Sequence, residues 1–276
     1  MDSADFDFLS DFVKRRSGLA LTQGQTGFIK SKLAPVIRRF GFRNVDALLS
    51  ELHHEPEELS RAVAEAMTTN ETSFFRDRVA FDHFRSVLLP AMMEARAATR
   101  RLRIWCAASS AGQEPYSLAM ILDEAKLDGW RVDLIATDLN SEAIMRAKEG
   151  LYSEYEVARG LSVPLLLKYF TQENGQWRIA EKLRRMVNFK TFNLLDSFGW
   201  LSQIDIIYCR NVLLYFDHQD KFETLERLSR CLAPDGFLVL GTTETTASIS
   251  DAFAPSGRVR GMFAKTRNAR QTRLAG

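Results

Sequence analysis

The sequence is poor in the residues that build metal sites and covalent catalysts. It has 3 cysteines and 4 histidines in 276 residues. Cys106, Cys209 and Cys231 are far apart, form no CxxC pair, and each lies in or beside an apolar run. That pattern excludes a disulfide framework and fits buried thiols in a reduced, cytoplasmic protein. The histidines, of which His53 and His54 are adjacent, have no metal-ligand spacing, so no metal is expected. No Ser/His/Asp or Cys/His constellation stands out. No apolar run is long enough to cross a bilayer, and the start "MDSADFDFLSDFV" is acidic where a signal peptide would be basic. The formal net charge of +2 is too near balance to imply a nucleic-acid or membrane partner by itself.

What is present is an ordinary globular composition, 46% hydrophobic and 26% charged, on a chain long enough for one or two domains. The first seventy or so residues have helical spacing. Phe6, Leu9, Phe12 and Val13 recur at that period. In "FIKSKLAPVIRRFG", Phe28, Ile29, Leu33, Val36, Ile37 and Phe40 fill about half a helical wheel. Lys30, Lys32, Arg38 and Arg39 fall on or at the edges of the other half. Gly41 stands where a helix-ending glycine belongs, and Pro35 is expected to kink or split the helix. Two more helices are expected at about 45–53 and 55–68. Charge is segregated here: from Lys14 to Val45 there are eight Lys or Arg residues and no acid, whereas acids dominate from Asp46 to Glu71. A solvated helix face would account for a milder run. Thirty residues without a carboxylate suggest a surface for an acidic partner.

From Arg101 the pattern changes. "RLRIWCA", "RVDLIATD", "IDIIYCRN" and "FLVLGTTE" read as strands. "PYSLAMILDEA", "SEAIMRAKEG" and "QDKFETLERLSRCLAPDG" read as helices between them, the last ending in a Pro-Asp-Gly turn. Strands alternating with helices predict a parallel sheet covered on both faces. "GMFAK" is expected to add an edge strand, and the polar, basic residues 266–276 to be disordered. Between 151 and 200 the alternation pauses for a helix near 162–170 and a hairpin, "KYFTQENGQWRIA", turning at Asn174-Gly175.

Ligands of such sheets bind outside the carboxyl ends of the strands. Three of those ends carry polar residues: "ASSAGQE", which closes on Glu114, Asp138 in "ATDLN", and Arg210-Asn211 in "CRNVLLYF". The first loop is not a dinucleotide fingerprint, because Gly112 is its one glycine. Small Ala and Ser residues still let a nucleoside approach. A carboxylate at Glu114 would repel phosphate but suit an ammonium or a sulfonium, which points to S-adenosylmethionine (SAM). Glu114 reads equally well as a carboxylate favouring a helix N-terminus. Asp138 reads as a ribose acceptor or as a helix cap, a role Asn140 or Ser141 could also fill.

Together with "TTNETSFFRD" at 68–77, "RIWCAASSAGQEPYSLAM", "IATDLNSEAIMRAKEGLY", "FNLLD", "IIYCRNVLLYFD" and "LAPDGFLVLGTTE" resemble, in order, the motifs of the chemotaxis receptor glutamate O-methyltransferase (CheR) family. The resemblance runs from about residue 8 to residue 265. Gln113 departs from it, since many relatives carry a second glutamate there. The resemblance implies an α/β fold, a Rossmann-like class I SAM-dependent methyltransferase sheet, with a small all-helical N-terminal domain (1–75) that recognises the receptor. The catalytic domain would be 76–276, with a β-hairpin subdomain inserted at about 151–192. It implies SAM as cofactor, S-adenosylhomocysteine (SAH) as product, and cofactor contacts at Asn70, Thr72, Arg76, Glu114, Asp138, Asn193, Leu194, Arg210 and Asn211. Arg76 and Arg210 are also candidates for orienting the substrate, with no catalytic residue assigned beyond them. Lys30, Lys32, Arg38 and Arg39 would meet the cytoplasmic helical bundle of a chemotaxis receptor. A monomer is expected, with no nucleic acid bound and no membrane insertion. Phe74 and Phe75 are expected to pack between the domains. The hairpin is short beside that of members that grip a receptor C-terminal pentapeptide, so a pentapeptide-independent member is expected. Methylation of RNA or of a small molecule, and a non-catalytic cofactor-binding module, remain as alternative readings.

Overall fold

The computed structural model describes residues 1–256 and 260–266. Of the basic tail expected to be disordered, all but Thr266 lies outside the described residues. Four helices open the chain: α1 (Ser3–Ser17), α2 (Thr26–Phe40), α3 (Val45–Leu52) and α4 (Glu57–Met67). Asp2 caps α1 reciprocally with Asp5, and left-handed Gly18 and Gly41 close α1 and α2. Their apolar stripes, including Leu9, Phe12, Ile29, Leu33, Leu52 and Val63, form a core of their own. Pro35 does not split α2. Both it and Ser31, whose carbonyl it leaves without a donor, are exposed, so water can serve that carbonyl.

A helical stretch that the sequence reading did not anticipate follows: α5 (Val79–His83), one π-helical turn (Phe84–Leu88) and α6 (Leu89–Ala95). The α/β domain then runs β1 (Arg101–Ala107), α7 (Gln113–Glu124), β2 (Arg131–Asp138), α8 (Ser141–Glu149), β3 (Leu151–Tyr152), α9 (Glu154–Ala158) and α10 (Val163–Tyr169). It continues β4 (Phe170–Glu173), β5 (Gln176–Ile179), α11 (Glu181–Met186), β6 (Val187–Thr191), β7 (Ile204–Tyr208), α12 (His218–Cys231), β8 (Leu232–Val239), β9 (Phe253–Pro255) and β10 (Met262–Lys265).

Seven strands form the main sheet in the order β6-β2-β1-β7-β8-β10-β9. The run from β6 to β8 is parallel, and β10 is antiparallel to both of its neighbours. Alternation along the strands supplies two cores. Leu102, Ile104 and Cys106 of β1 face one, with α7; Trp105 and Ala107 face the other, with Leu225 and Leu228 of α12. This is the Rossmann-like methyltransferase sheet that the resemblance implies. The chain leaves β1 for β2 on one side and reaches β7 on the other. The topological switch point, where open α/β sheets bind ligands, therefore lies at the carboxyl ends of β1 and β7.

Three expectations change. "GMFAK" supplies an inner strand, β10, because Phe253–Pro255 pairs along its far side as β9; Pro255 lacks an N–H and is tolerated on an edge. β6 belongs to the main sheet, paired with β2, so the inserted sheet ends before it and does not run to 192. That sheet is β3-β5-β4, and its hairpin turns at Asn174 (φ 49°) and Gly175 (φ 77°), the left-handed pair that a two-residue turn requires. Thirdly, Phe74 does not pack between the domains. Its ring lies edge-on to Tyr152 and Phe170, at 5.0 and 5.5 Å, inside the core of the α/β domain. Phe75 packs on Phe81.

Candidate functional site

At the switch point the chain is held in backbone conformations that most residues avoid. Ala108 (φ 73°) and Ser110 (φ 49°) follow β1, Asn211 (φ 57°) follows β7, and Phe75 (φ 50°) and Asp77 (φ 53°) lie in the segment joining α4 to α5. Left-handed non-glycine residues cluster at functional sites when the surroundings over-determine them. Here the surroundings are visible: the Ser110 N–H donates to Asp138 Oδ2 at 2.7 Å, the Phe75 N–H to Ser117 Oγ at 3.0 Å, and the Asn211 N–H to Glu244 Oε2 at 2.7 Å.

These segments surround a cavity of about 890 Å³, counting its open mouth. All nine residues expected to contact cofactor line it: Asn70, Thr72, Arg76, Glu114, Asp138, Asn193, Leu194, Arg210 and Asn211. The helical domain supplies one wall through Ser17, Leu19 and Thr68. Two sets of contacts hold that wall. Asn140 caps α8, accepting from Ala143, while its Nδ2 donates to the Glu65 carbonyl and to Thr68 Oγ1. Asn193 Nδ2 donates to the Arg16 carbonyl at 2.7 Å, the Ala20 N–H to the Tyr215 carbonyl at 2.9 Å, and Lys14 pairs with Asp217 at 2.6 Å.

The two carboxylates differ in their partners. Asp138 is 7% exposed and accepts backbone N–H groups of Ser110 and Asn140. Its burial raises its pKa, against the pull of those two donors. Each oxygen keeps a lone pair for a further donor. Glu114 is also raised by burial, opposed by the positive charge of Arg210. Arg210 itself is 2% exposed in its side chain, and its Nε–H is buried with no partner among the described residues. It donates to Glu114 Oε2, to Asp77 Oδ2 and to the Arg76 carbonyl, each at 2.8 Å, and lies 5.5 Å from the centre of the Phe81 ring. Its two amino groups hold Glu114 and the 76–77 segment in place. Arg76, half-buried, anchors one amino group on the Glu71 carbonyl and keeps the rest of its fork for the cavity.

A ligand finds unused hydrogen-bonding groups here. The Ser109 hydroxyl is buried in the wall without a partner. Among the described residues the Asn211 side-chain amide makes no hydrogen bond. Phe192 and Leu194 offer apolar surface. Buried acids, a free amide and hydroxyl, and an apolar slot fit a nucleoside that carries positive charge. They fit a polyphosphate poorly.

The basic helix face is less uniform than its spacing suggests. Lys32 donates to the Thr68 carbonyl at 2.8 Å, and burial lowers its pKa. Arg39 pairs with Glu58 at 3.0 Å. Lys30 and Arg38 are exposed and form no ion pair among the described residues. Because Thr68 also lines the cavity, Lys32 links this face to the rim of the site. Sequence reasoning missed two contributors. Tyr215 lines the cavity and is 37% exposed. Glu244 lies behind the wall, and its one sequence signal is an acid just past a strand end.

Among the described residues no group of His, Cys, Asp and Glu could hold a metal ion, and no helix is long and apolar enough to cross a membrane. The three cysteines are free and buried. A family model described as the CheR methyltransferase SAM-binding domain matches residues 70–261, and one described as the CheR methyltransferase all-alpha domain matches residues 4–68. The chain is 35% identical over 257 residues to chemotaxis protein methyltransferase 1 of Pseudomonas aeruginosa, covering 91% of this chain and 93% of that protein. It is 36% identical to a chemotaxis protein methyltransferase of Vibrio anguillarum (88% and 90% covered). It is 30% identical to one of Salmonella typhimurium (94% and 89% covered).

Proposed function

Because the chain belongs to the CheR family of SAM-dependent chemotaxis methyltransferases, we propose that it forms methyl esters on specific glutamate side chains of chemotaxis receptors. The observation that carries this reading is the adjacency of two features. One is a cavity whose acids suit a cationic nucleoside; the other is an exposed basic helix face reaching its rim through Lys32 and Thr68. An acidic helical bundle that docks on Lys30, Arg38 and Arg39 delivers its carboxylates to the mouth of that cavity.

SAM, when bound, supplies a methyl group on a sulfonium, open to attack by a carboxylate oxygen. The chain's own residues bind and align. Asp138 would accept from the ribose hydroxyls on its free lone pairs, and Glu114, kept in register by Arg210, would take the amino group. Asn193 and Leu194 frame the adenine, Asn70, Thr72 and Asn211 supply polar contacts, and Arg76 meets the cofactor carboxylate. A glutamate with an ordinary pKa of about 4.3 is already ionised at neutral pH, so no general base is needed. Rate comes from holding the acceptor in line and stripping water from it. Opposite charges cancel as the methyl moves, so a cation clamped on the acceptor would slow the reaction. The sealed pairing of Arg210 with Glu114 and Asp77 suits that requirement.

The reading places the enzyme in the cytoplasm, acting on the receptor's cytoplasmic bundle as a monomer. The short β4–β5 turn supports recruitment without a receptor tail peptide. Transfer of tritium from labelled SAM to receptor-containing membranes, as base-labile methyl ester, is the expected result. Label found instead in RNA, or no turnover despite cofactor binding, would overturn it.

A further inference from the structure

The wall that carries Arg210, Asn211 and Val212 is held by a residue outside the cavity lining. Glu244 lies just past the carboxyl end of β8 and reaches back to the loop that follows β7. Its Oε2 accepts the N–H groups of Asn211 and Gly241, both at 2.7 Å. Its Oε1 accepts those of Val212 at 3.1 Å and Leu214 at 3.2 Å. Four backbone donors thus converge on one carboxylate. Hydrogen bonds of backbone N–H to an ionised acceptor are the strong kind. The fit leaves no slack: a Cβ built on Gly241 would lie 2.7 Å from Asn211 Nδ2 and 2.8 Å from Glu244 Oε2.

What this clamp holds is unusual. Asn211 is in the left-handed region and lines the cavity, and its side-chain amide, close beside Gly241, makes no hydrogen bond among the described residues. Asn tolerates that conformation, but a loop without the four bonds to Glu244 would be free to leave it and carry Asn211 out of the wall. The same loop carries Tyr215 to the mouth.

We propose that Glu244 is a positioning residue for methyl transfer: its carboxylate fixes the 211–215 loop so that Asn211 and Tyr215 keep their places in the wall against the cofactor. The inference rests on the cofactor occupying this cavity. It assigns Glu244 no contact with cofactor or substrate.

Glu244→Gln is the informative variant. It is nearly isosteric, but its amide nitrogen sets two donors against two of the four N–H groups. The full chain is titrated with SAH by calorimetry, in wild type, Glu244→Gln, Asn211→Ala and the double variant. Thermal melts report the folded fraction. The expected result is a loss of SAH affinity of about tenfold in Glu244→Gln, with most of that loss absent when Asn211 is already Ala, because residues acting through one contact are not additive. Glu244→Ala should recover affinity in added formate and not in chloride of equal ionic strength. Glu244→Gln within twofold of wild type, or a loss of equal size in the Asn211→Ala background, overturns the inference. So does a loss that merely tracks the folded fraction. Failure of the wild type to bind SAH would instead sink the reading of the cavity on which it rests.

Discussion

At the scale of single residues, the surroundings of Glu114 and Asp138 disfavour the charged form. Burial raises both pKa values. Their contribution to the stability of the unliganded fold is therefore complete below the ordinary carboxylate range and is lost as pH rises through the raised values. An ammonium bound against Glu114 would offset that residue's share of the loss. Affinity for SAH should accordingly fall on acidification while ordinary glutamates, with pKa about 4.3, remain charged. Calorimetry across that range checks it, and Glu114→Gln should flatten the part of the profile due to that residue. Arg76→Ala should weaken SAH binding about tenfold or more, the scale of a lost hydrogen bond between charged groups, although the residue precedes the whole main sheet. Glu114 and Asp138 were legible because polar side chains near strand ends stand out in an apolar pattern, whereas Arg76 came from the family resemblance alone. The working partners of Arg210 were not, since its pairing with Asp77 spans 133 residues. Glu244 was not either, because it acts on backbone groups that leave no mark in the sequence.

Among the elements, α2 and the β4–β5 hairpin carry the substrate side of the proposal. Reversing Arg38 and Arg39 to Glu should cut receptor methylation while leaving SAH affinity unchanged. An unchanged rate in the tritium assay would refute the docking face. Stability should hardly move, because the Arg39–Glu58 pair is exposed and such pairs contribute less than about 1 kcal/mol. A receptor tail pentapeptide should show no micromolar binding by calorimetry, given a hairpin with a two-residue turn. The Asn-Gly signal placed that turn correctly, and the helix-closing glycines at 41 and 150 did the same for α2 and α8. The stretch from α5 to α6 escaped notice because its pieces are short and lack side-chain caps. β9 escaped because three residues are too few to alternate.

On the scale of the whole molecule, two helical-domain contacts flank the cavity, one through Asn140 and one through Asn193. Asn140→Ser keeps a side chain able to cap α8 but removes the amide donors to Glu65 and Thr68. Hydrogen exchange should then quicken in residues 68–72 while α8 stays protected. That coupling could not be read from the sequence, where the two partners stand some seventy positions apart.

The left-handed residues around the cavity have a further consequence. Asn211 and Asp77 tolerate that conformation readily, whereas Ala108, Phe75 and Ser110 do so at roughly 1 kcal/mol each. Domains of this kind have only about 5–15 kcal/mol of net stability, so the three together are a real fraction of it. Ala108→Gly would relieve one of them and raise the melting temperature, yet also free the loop beside Asp138. Selection for heat resistance alone would find such changes early, and each would trade durability against the set geometry of the cofactor cavity.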